Sequence, residues 1–349
     1  MKSSHGLTRR RFVQGLAAGA GLATLGRPVR GASAEKMVLG TWGGDYSKLL
    51  TQNVETPILA PKGIEVVHDI ANDSPRRAKL VAEQRLPRGT TDLQALSAAG
   101  SREMFNVGVL EPIDYSKIPN APHLIAQMKT PYSVGHIYSG QVILYNPAMI
   151  SPAPTSYSDL WDPRHAGKVG IIDIQYIGVL EAAALVSGGN MENFEPGKAK
   201  LMELRRMGCQ IVPTNEAMAQ SLRNEEIWMC IMWKARGVMW QNAGVPVEIA
   251  NPKEGIVLYI SDMSIPKNAR NKEQAYAWLN GILDPKPQAH FAEAMGYNPT
   301  VTNADVPAAL QGRISFSPEI QEKFMKQDQD YLAKNDPQLQ EWWNKVFKA

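Results

Sequence analysis

Cysteine is nearly absent: two residues in 349, Cys209 and Cys230, exclude a disulfide-built scaffold. Each lies beside an apolar run, which predicts two small buried side chains; pairing in an oxidising compartment is the alternative. Long hydrophobic runs are missing as well. The strongest, residues 227–233, is far shorter than the ~20 residues of a membrane-spanning helix. No Gly-x-Ser-x-Gly elbow, His-Glu-x-x-His, Cys-x-x-Cys or phosphate loop occurs, so an enzyme would need a site assembled from distant residues. Histidines are few and scattered, and no Tyr-Tyr pair or His/carboxylate cluster offers the hard ligands of an iron site. Neither a cofactor nor a metal is called for, and 20% charged with 44% hydrophobic residues describes an ordinary globular protein.

Acid is absent from residues 1–34, which hold six bases: Lys2, Arg9, Arg10, Arg11, Arg27 and Arg30. Thr8-Arg9-Arg10-Arg11-Phe12-Val13 precedes a mild apolar run, and Ala32-Ser33-Ala34 supplies small residues for cleavage. That order reads as a twin-arginine signal peptide, handled by the Tat translocase and directing the chain to the periplasm. Without those six bases, 31 Lys+Arg stand against 34 Asp+Glu, a net charge of about −3 in place of +3. The apparent basicity belongs to the leader, and a nucleic-acid partner loses its argument.

What remains exceeds one ordinary core at this length and predicts two domains. Ile227-Trp228-Met229-Cys230-Ile231-Met232-Trp233 shows no alternation, the mark of a strand buried on both faces. Helical spacing from Ala235 to a stop at Gly244 then places Trp233, Lys234 and Arg236 where a strand hands over to a helix. Ligands of open α/β sheets bind at that edge, although Trp233 could equally cap the core with both cations solvated. Lys36-Met37-Val38-Leu39-Gly40-Thr41-Trp42-Gly43-Gly44 reads as a strand, a glycine turn and a helix from about Ser47. Gly43 permits close approach of a ligand, and Trp42 either faces that ligand or packs beneath the turn.

Further strands are expected at 64–70, 91–97, 138–146, 168–173, 245–250 and 255–261, with helices between most of them, an α/β pattern. Asn72-Asp73-Ser74-Pro75 starts a basic helix running to Gln84, and Ser156 with Asp159 forms a capping box. Asn271 opens a helix that buries Ala275, Trp278, Leu279 and Ile282. Trp342 and Trp343 are spaced to tie down a polar helical tail.

Thr155-Ser156-Tyr157-Ser158-Asp159-Leu160-Trp161, Ile231-Met232-Trp233, the 255–266 segment after Asn251-Pro252-Lys253-Glu254, and Gly296-Tyr297-Asn298-Pro299-Thr300 resemble the periplasmic spermidine/putrescine-binding proteins of ABC importers. The likeness runs through nearly all the mature chain. The resemblance implies a two-lobed type II periplasmic binding fold, a monomer, and delivery of a small-molecule ligand to a membrane permease. Lobe one is expected at 36–139 plus 261–305, and lobe two at 140–260 plus 306–349. By position, the resemblance puts an aromatic box on Trp42, Tyr138, Trp233, Tyr259 and Tyr297, and a polar contact on Asn215.

Departures from that family shape the expected ligand. Its acid falls on Ser261, with Asp262 one step along; Asp173 is retained, but Ile174, Tyr176 and Ile177 stand where further acids are expected. Cations, Lys234 and Arg236, follow Trp233. One retained acid cannot hold a dication at both ends, whereas an aromatic cage beside an Arg or Lys suits an amine that also bears a carboxylate. The expectation is a 4-aminobutyrate-like solute ahead of a true polyamine, with a Tat-exported enzyme as the further alternative.

Overall fold

The computed structural model describes residues 35–349, so the leader read at 1–34 lies outside the described residues. Eleven strands are present among them: β1 (Glu35–Thr41), β2 (Ile64–Ile70), β3 (Leu93–Ser97), β4 (Val134–Tyr145), β5 (Val169–Ile172), β6 (Gln210–Val212), β7 (Met229–Trp233), β8 (Glu248–Ala250), β9 (Ile256–Ser264), β10 (Asn298–Pro299) and β11 (Phe324–Met325). The α-helices are α1 (Gly44–Leu50), α2 (Asp73–Glu83), α3 (Ala98–Asn106), α4 (Tyr176–Leu185), α5 (Glu195–Arg206), α6 (Asn215–Arg223), α7 (Lys234–Asn242), α8 (Lys272–Ile282), α9 (Pro285–Met295), α10 (Ala308–Ile314), α11 (Pro318–Gln321) and α12 (Gln329–Trp342).

The strands run in the order β2-β1-β3-β9-β4-β7-β5-β6, with β8 and β10 also on β4 and β11 on β9. β4 is the pivot. Its first half, to Gly140, pairs with β9, and its second half, from Gln141, pairs with β7. β1, β2 and β3 are mutually parallel and, through antiparallel β9, share the direction of β4. β7, β5 and β6 are parallel to one another and opposed to β4. The carboxyl ends of the two parallel sets therefore converge on the middle of β4, where α/β sheets place their ligands.

Separate cores flank that crossing. Met37, Leu39, Leu93, Met263, Trp278 and Phe291 belong to one. Ile143, Val169, Leu180, Phe194, Trp343 and Phe347 belong to another, with a neighbouring group around Val142, Cys230, Met232 and Phe316. Residues Ala275, Trp278, Leu279 and Ile282 are buried on α8 as their spacing predicts. The capping box of Ser156 and Asp159 starts a single turn at Tyr157–Trp161.

Two elements begin earlier than the sequence pattern indicates. α1 starts at Gly44 because Gly43 serves as its N-cap without a side chain, and Asp45 complements the helix dipole. β4 starts at Val134, since Gly135 and His136 interrupt the apolar pattern but not the pairing, which absorbs an irregularity there. Both cysteines are free and buried. Gln210 and Cys230 both lie opposite Gly170 from the two sides of β5. Cys209 and Cys230 thus stand about 9–10 Å apart, two strand spacings, too far to bridge.

Gly140 marks the switch of partners on β4, and a Cβ there would come 2.3 Å from Ile256 Cγ2 and 2.6 Å from the Phe316 ring. Gly140→Ala is expected to destabilise the fold by about 1–3 kcal/mol through overpacking. Urea denaturation checks this; a variant as stable as the parent would show that the crossing tolerates bulk.

Candidate functional site

The middle of β4 organises the aromatic residues. Directly opposed residues of an antiparallel pair share a face, so Trp233 lies with Gln141, and Tyr259 with Ser139. The two rings meet across β4, stacked with centroids 4.7 Å apart and planes 23° apart. Tyr297, just before the Asn298–Tyr138 pair, brings its ring to 6.1 Å from Tyr259. The backbone N–H of Ala235 donates to Ser139 Oγ at 3.1 Å, fixing the start of α7 against the same strand. Arg236, one residue on, sets its charge beside the Tyr259 and Tyr297 phenols.

Trp42 joins from the end of β1. Its ring makes an edge contact with Tyr46, one helical turn along, at 5.5 Å. Tyr46 is buried, shares a 2.8 Å hydrogen bond with His136 Nδ1, and lies against Ser261. Arg76 closes the circle: its guanidinium sits 4.5 Å above Trp42, and its charge acts on both Tyr46 and Tyr259. Trp42 thus packs with Tyr46 and Arg76, and Trp233 with Tyr259, the Arg76 charge acting on both phenols.

Burial sets the electrostatics. Desolvation raises the Tyr46 and Tyr259 hydroxyls well above the ordinary tyrosine range and Tyr297 and Tyr138 in the same direction, so all four stay protonated. It holds His136 down to about 3, leaving the imidazole neutral. The network presents neutral rings and hydroxyls with two arginines.

Other expected site residues are directed elsewhere. Tyr138 lies opposite Ile260, on the face of β4 turned away from Tyr259. Asp173 is committed to the tail: Lys348 Nζ reaches its two oxygens at 3.0 and 3.0 Å, and Trp343 Nε1 donates at 2.7 Å. Lys234 leaves the box, donating to the Ser315 carbonyl with its ammonium 4.6 Å over Phe316; burial lowers it to about 8. Asn215 Oδ1 accepts from Gln175 at 2.7 Å, with no bond to the aromatic set. Asp262 alternates away from Ser261, facing α3 and the 130–133 turn, where Ser133 Oγ donates at 2.8 Å. Gly43 lies at the turn after Trp42, where a Cβ would come 2.9 Å from Ile70 Cγ2, so its small size serves packing against β2.

Arg76 and Tyr46 escaped the sequence reading. Arg76 was a member of a basic helix with nothing to single it out except position: cations are disfavoured in a helix's first turn, and this one stands there. Among the described residues, no group of three or more His, Cys, Asp or Glu side chains is arranged to hold a metal, and no helix is long and apolar enough to cross a membrane. A surface hollow bounded by Pro147, Gln241, Val247 and Arg313 lies away from the aromatic network.

With this geometry, the comparisons fall into place. The family model for bacterial extracellular solute-binding proteins matches residues 60–323. The chain belongs to that family. It is 28% identical over 272 residues to the spermidine/putrescine-binding periplasmic protein of Escherichia coli, covering 75% of this chain and 74% of that one. Among solved structures it resembles a GABA receptor, with a TM-score of 0.80 and 22% identity over 90% of this chain and 98% of that chain. It also resembles the spermidine/putrescine ABC transporter substrate-binding protein of Streptococcus pneumoniae, with a TM-score of 0.71 and 21% identity over 90% of this chain and 100% of that chain. These neighbours show the fold: this solute-binding protein has the two-lobed type II periplasmic architecture.

The buried Asp262 gives a pH test. Desolvation raises its carboxyl from 3.8 to about 7, with Ser133 and Ser101 opposing. Between about pH 4 and pH 7 the unfolded chain releases a proton that the folded protein retains, so this group's contribution falls as pH rises, then levels off. The stability of Asp262→Asn relative to the parent is expected to increase from pH 4 to pH 7. Denaturation midpoints across that range check it; a constant difference would contradict the assignment.

Proposed function

We propose that this solute-binding protein is the periplasmic substrate-binding component of an ABC importer, and that its solute is a small amine bearing a carboxylate, of the 4-aminobutyrate kind. The observation that carries this reading is a neutral aromatic surface accompanied by Arg76 and Arg236, with the neighbouring acids already engaged. Asp173 is held by Lys348, Asp262 faces the other side of β9, and Asp73 is paired with Arg77 at 2.9 Å. An ammonium on Trp233, Tyr259 or Tyr297 gains about 0.5–2 kcal/mol per favourable ring, while a second ammonium would meet cations. The spermidine/putrescine-binding relatives favour a polyamine, and the GABA receptor favours an ω-amino acid.

In this reading the chain binds without turnover as a monomer, passes its ligand to a membrane permease, and reaches the periplasm through the twin-arginine leader at 1–34. The lobes are residues 36–139 plus 261–305 and 140–260 plus 306–349; the change of pairing on β4 at Gly140 and Gln141 supports those limits. Closure would come from rotation about β4 and β9.

Calorimetric titration with 4-aminobutyrate, related ω-amino acids, putrescine and spermidine tests the reading. Micromolar binding of an ω-amino acid is expected, with Trp233→Ala weakening it at least about tenfold. Tight putrescine or spermidine binding with none by any amino acid would overturn it.

A further inference from the structure

α12 has two faces that answer to different cores. Leu332, Leu339 and, just past its end, Trp343 and Phe347 are buried in the core that also holds α4 and α5. Rings secure that seat: Tyr331 meets Phe194 edge-on at 4.9 Å and its hydroxyl accepts from the Phe194 amide at 3.1 Å, while Trp343 stacks on Phe347 at 4.3 Å. The opposite face carries acids towards α2 and α3, which pack on β3 around Leu80, Leu96 and Met104. Asp330 takes both prongs of the Arg102 fork, Nε at 2.7 Å and Nη2 at 3.1 Å, and Asn106 Nδ2 donates to it at 3.4 Å. Further along α12, Asp336 accepts from Arg77 Nη2 at 3.2 Å and from the Tyr176 hydroxyl.

The two attachments differ in kind. Apolar burial holds α12 to the α4 side, whereas the α2 and α3 side is held largely by ion pairs, the outer one solvated: Arg102 is 33% and Asp330 66% exposed. Each charge across this seam also has a second partner on its own side. Arg77 keeps Asp73, at 2.9 Å, and Glu103; Asp336 keeps Tyr176; Arg102 keeps the Tyr132 ring, 5.8 Å from its guanidinium carbon. Parting the seam therefore strands no buried charge, the usual obstacle to separating an ion pair. The seam lies at the carboxyl ends of two strands: the Ser97 amide, last of β3, donates to Asp73 at 3.0 Å, and Tyr176 opens α4 after the turn that follows β5.

We propose that this seam is a latch: Arg102–Asp330 and Arg77–Asp336 form when the two lobes close and break when they open. α12 rides with the lobe of α4 and brings the acids that favour the closed state. Charges remote from the solute then help to set the open–closed balance, and with it the apparent affinity of the cleft. The inference rests on the reading of the chain as a carrier that closes about a hinge, and not on which solute it carries.

The test compares the parent with two charge reversals, Arg102→Glu and Asp330→Arg, and with the double swap. Both positions are solvated, so all three variants are expected to keep the parent's melting transition. Small-angle X-ray scattering of the ligand-free protein reads the opening. Each single variant is expected to show a larger radius of gyration than the parent, and the double swap to return to the parent value. High ionic strength should expand the parent in the same direction. In calorimetric titration with 4-aminobutyrate, each single variant should bind about two- to fivefold more weakly, with the loss recovered in the swap. Identical scattering for the parent and both single variants, or a double swap no nearer the parent than the singles, would overturn the latch. Absence of 4-aminobutyrate binding by every protein would count against the solute reading and leave the scattering to decide the latch.

Discussion

Everything at the cleft depends on the stacking of Trp233 on Tyr259 across β4. The contact needs β7 and β9 on opposite sides of one strand, each delivering an aromatic residue at the right register. It sits where that strand passes between cores. Gly140 keeps the reverse side thin enough for Ile256 and Phe316 to pack.

Charge distribution gives this surface its chemical character. The fold buries Asp262 and Arg76 within the same sheet region but sends them to different ends of the problem. Asp262 is surrounded by serines on the helix-covered face and is driven towards its neutral form. Arg76 cannot shed its charge, so backbone carbonyls at strand ends and the Trp42 face must stand in for a counter-ion.

Much of the architecture was legible because it follows from periodicity. The unbroken 227–233 run, the 64–70 strand and the buried stripe of α8 are set by local pattern, and the first two strands come out at or within two residues of their expected ends. The site was legible only in part. Trp233, Tyr259 and Tyr297 meet because strand ends converge, and their positions in the sequence already marked those ends. The destinations of Asp173 and Lys234 were hidden, since they are fixed by Lys348 and Ser315, residues far along the chain that no local pattern connects to them. Arg76 was hidden for the converse reason: its meaning lies in bonds to backbone carbonyls, which carry no sequence signature.

The proposed function turns on what the cleft holds in the cell. Mass spectrometry of the small molecule released when protein purified from its native periplasm is denatured addresses that claim directly. An ω-amino acid, with one amine and one carboxylate, is the predicted mass. Recovery of spermidine or putrescine at one molecule per chain would contradict it.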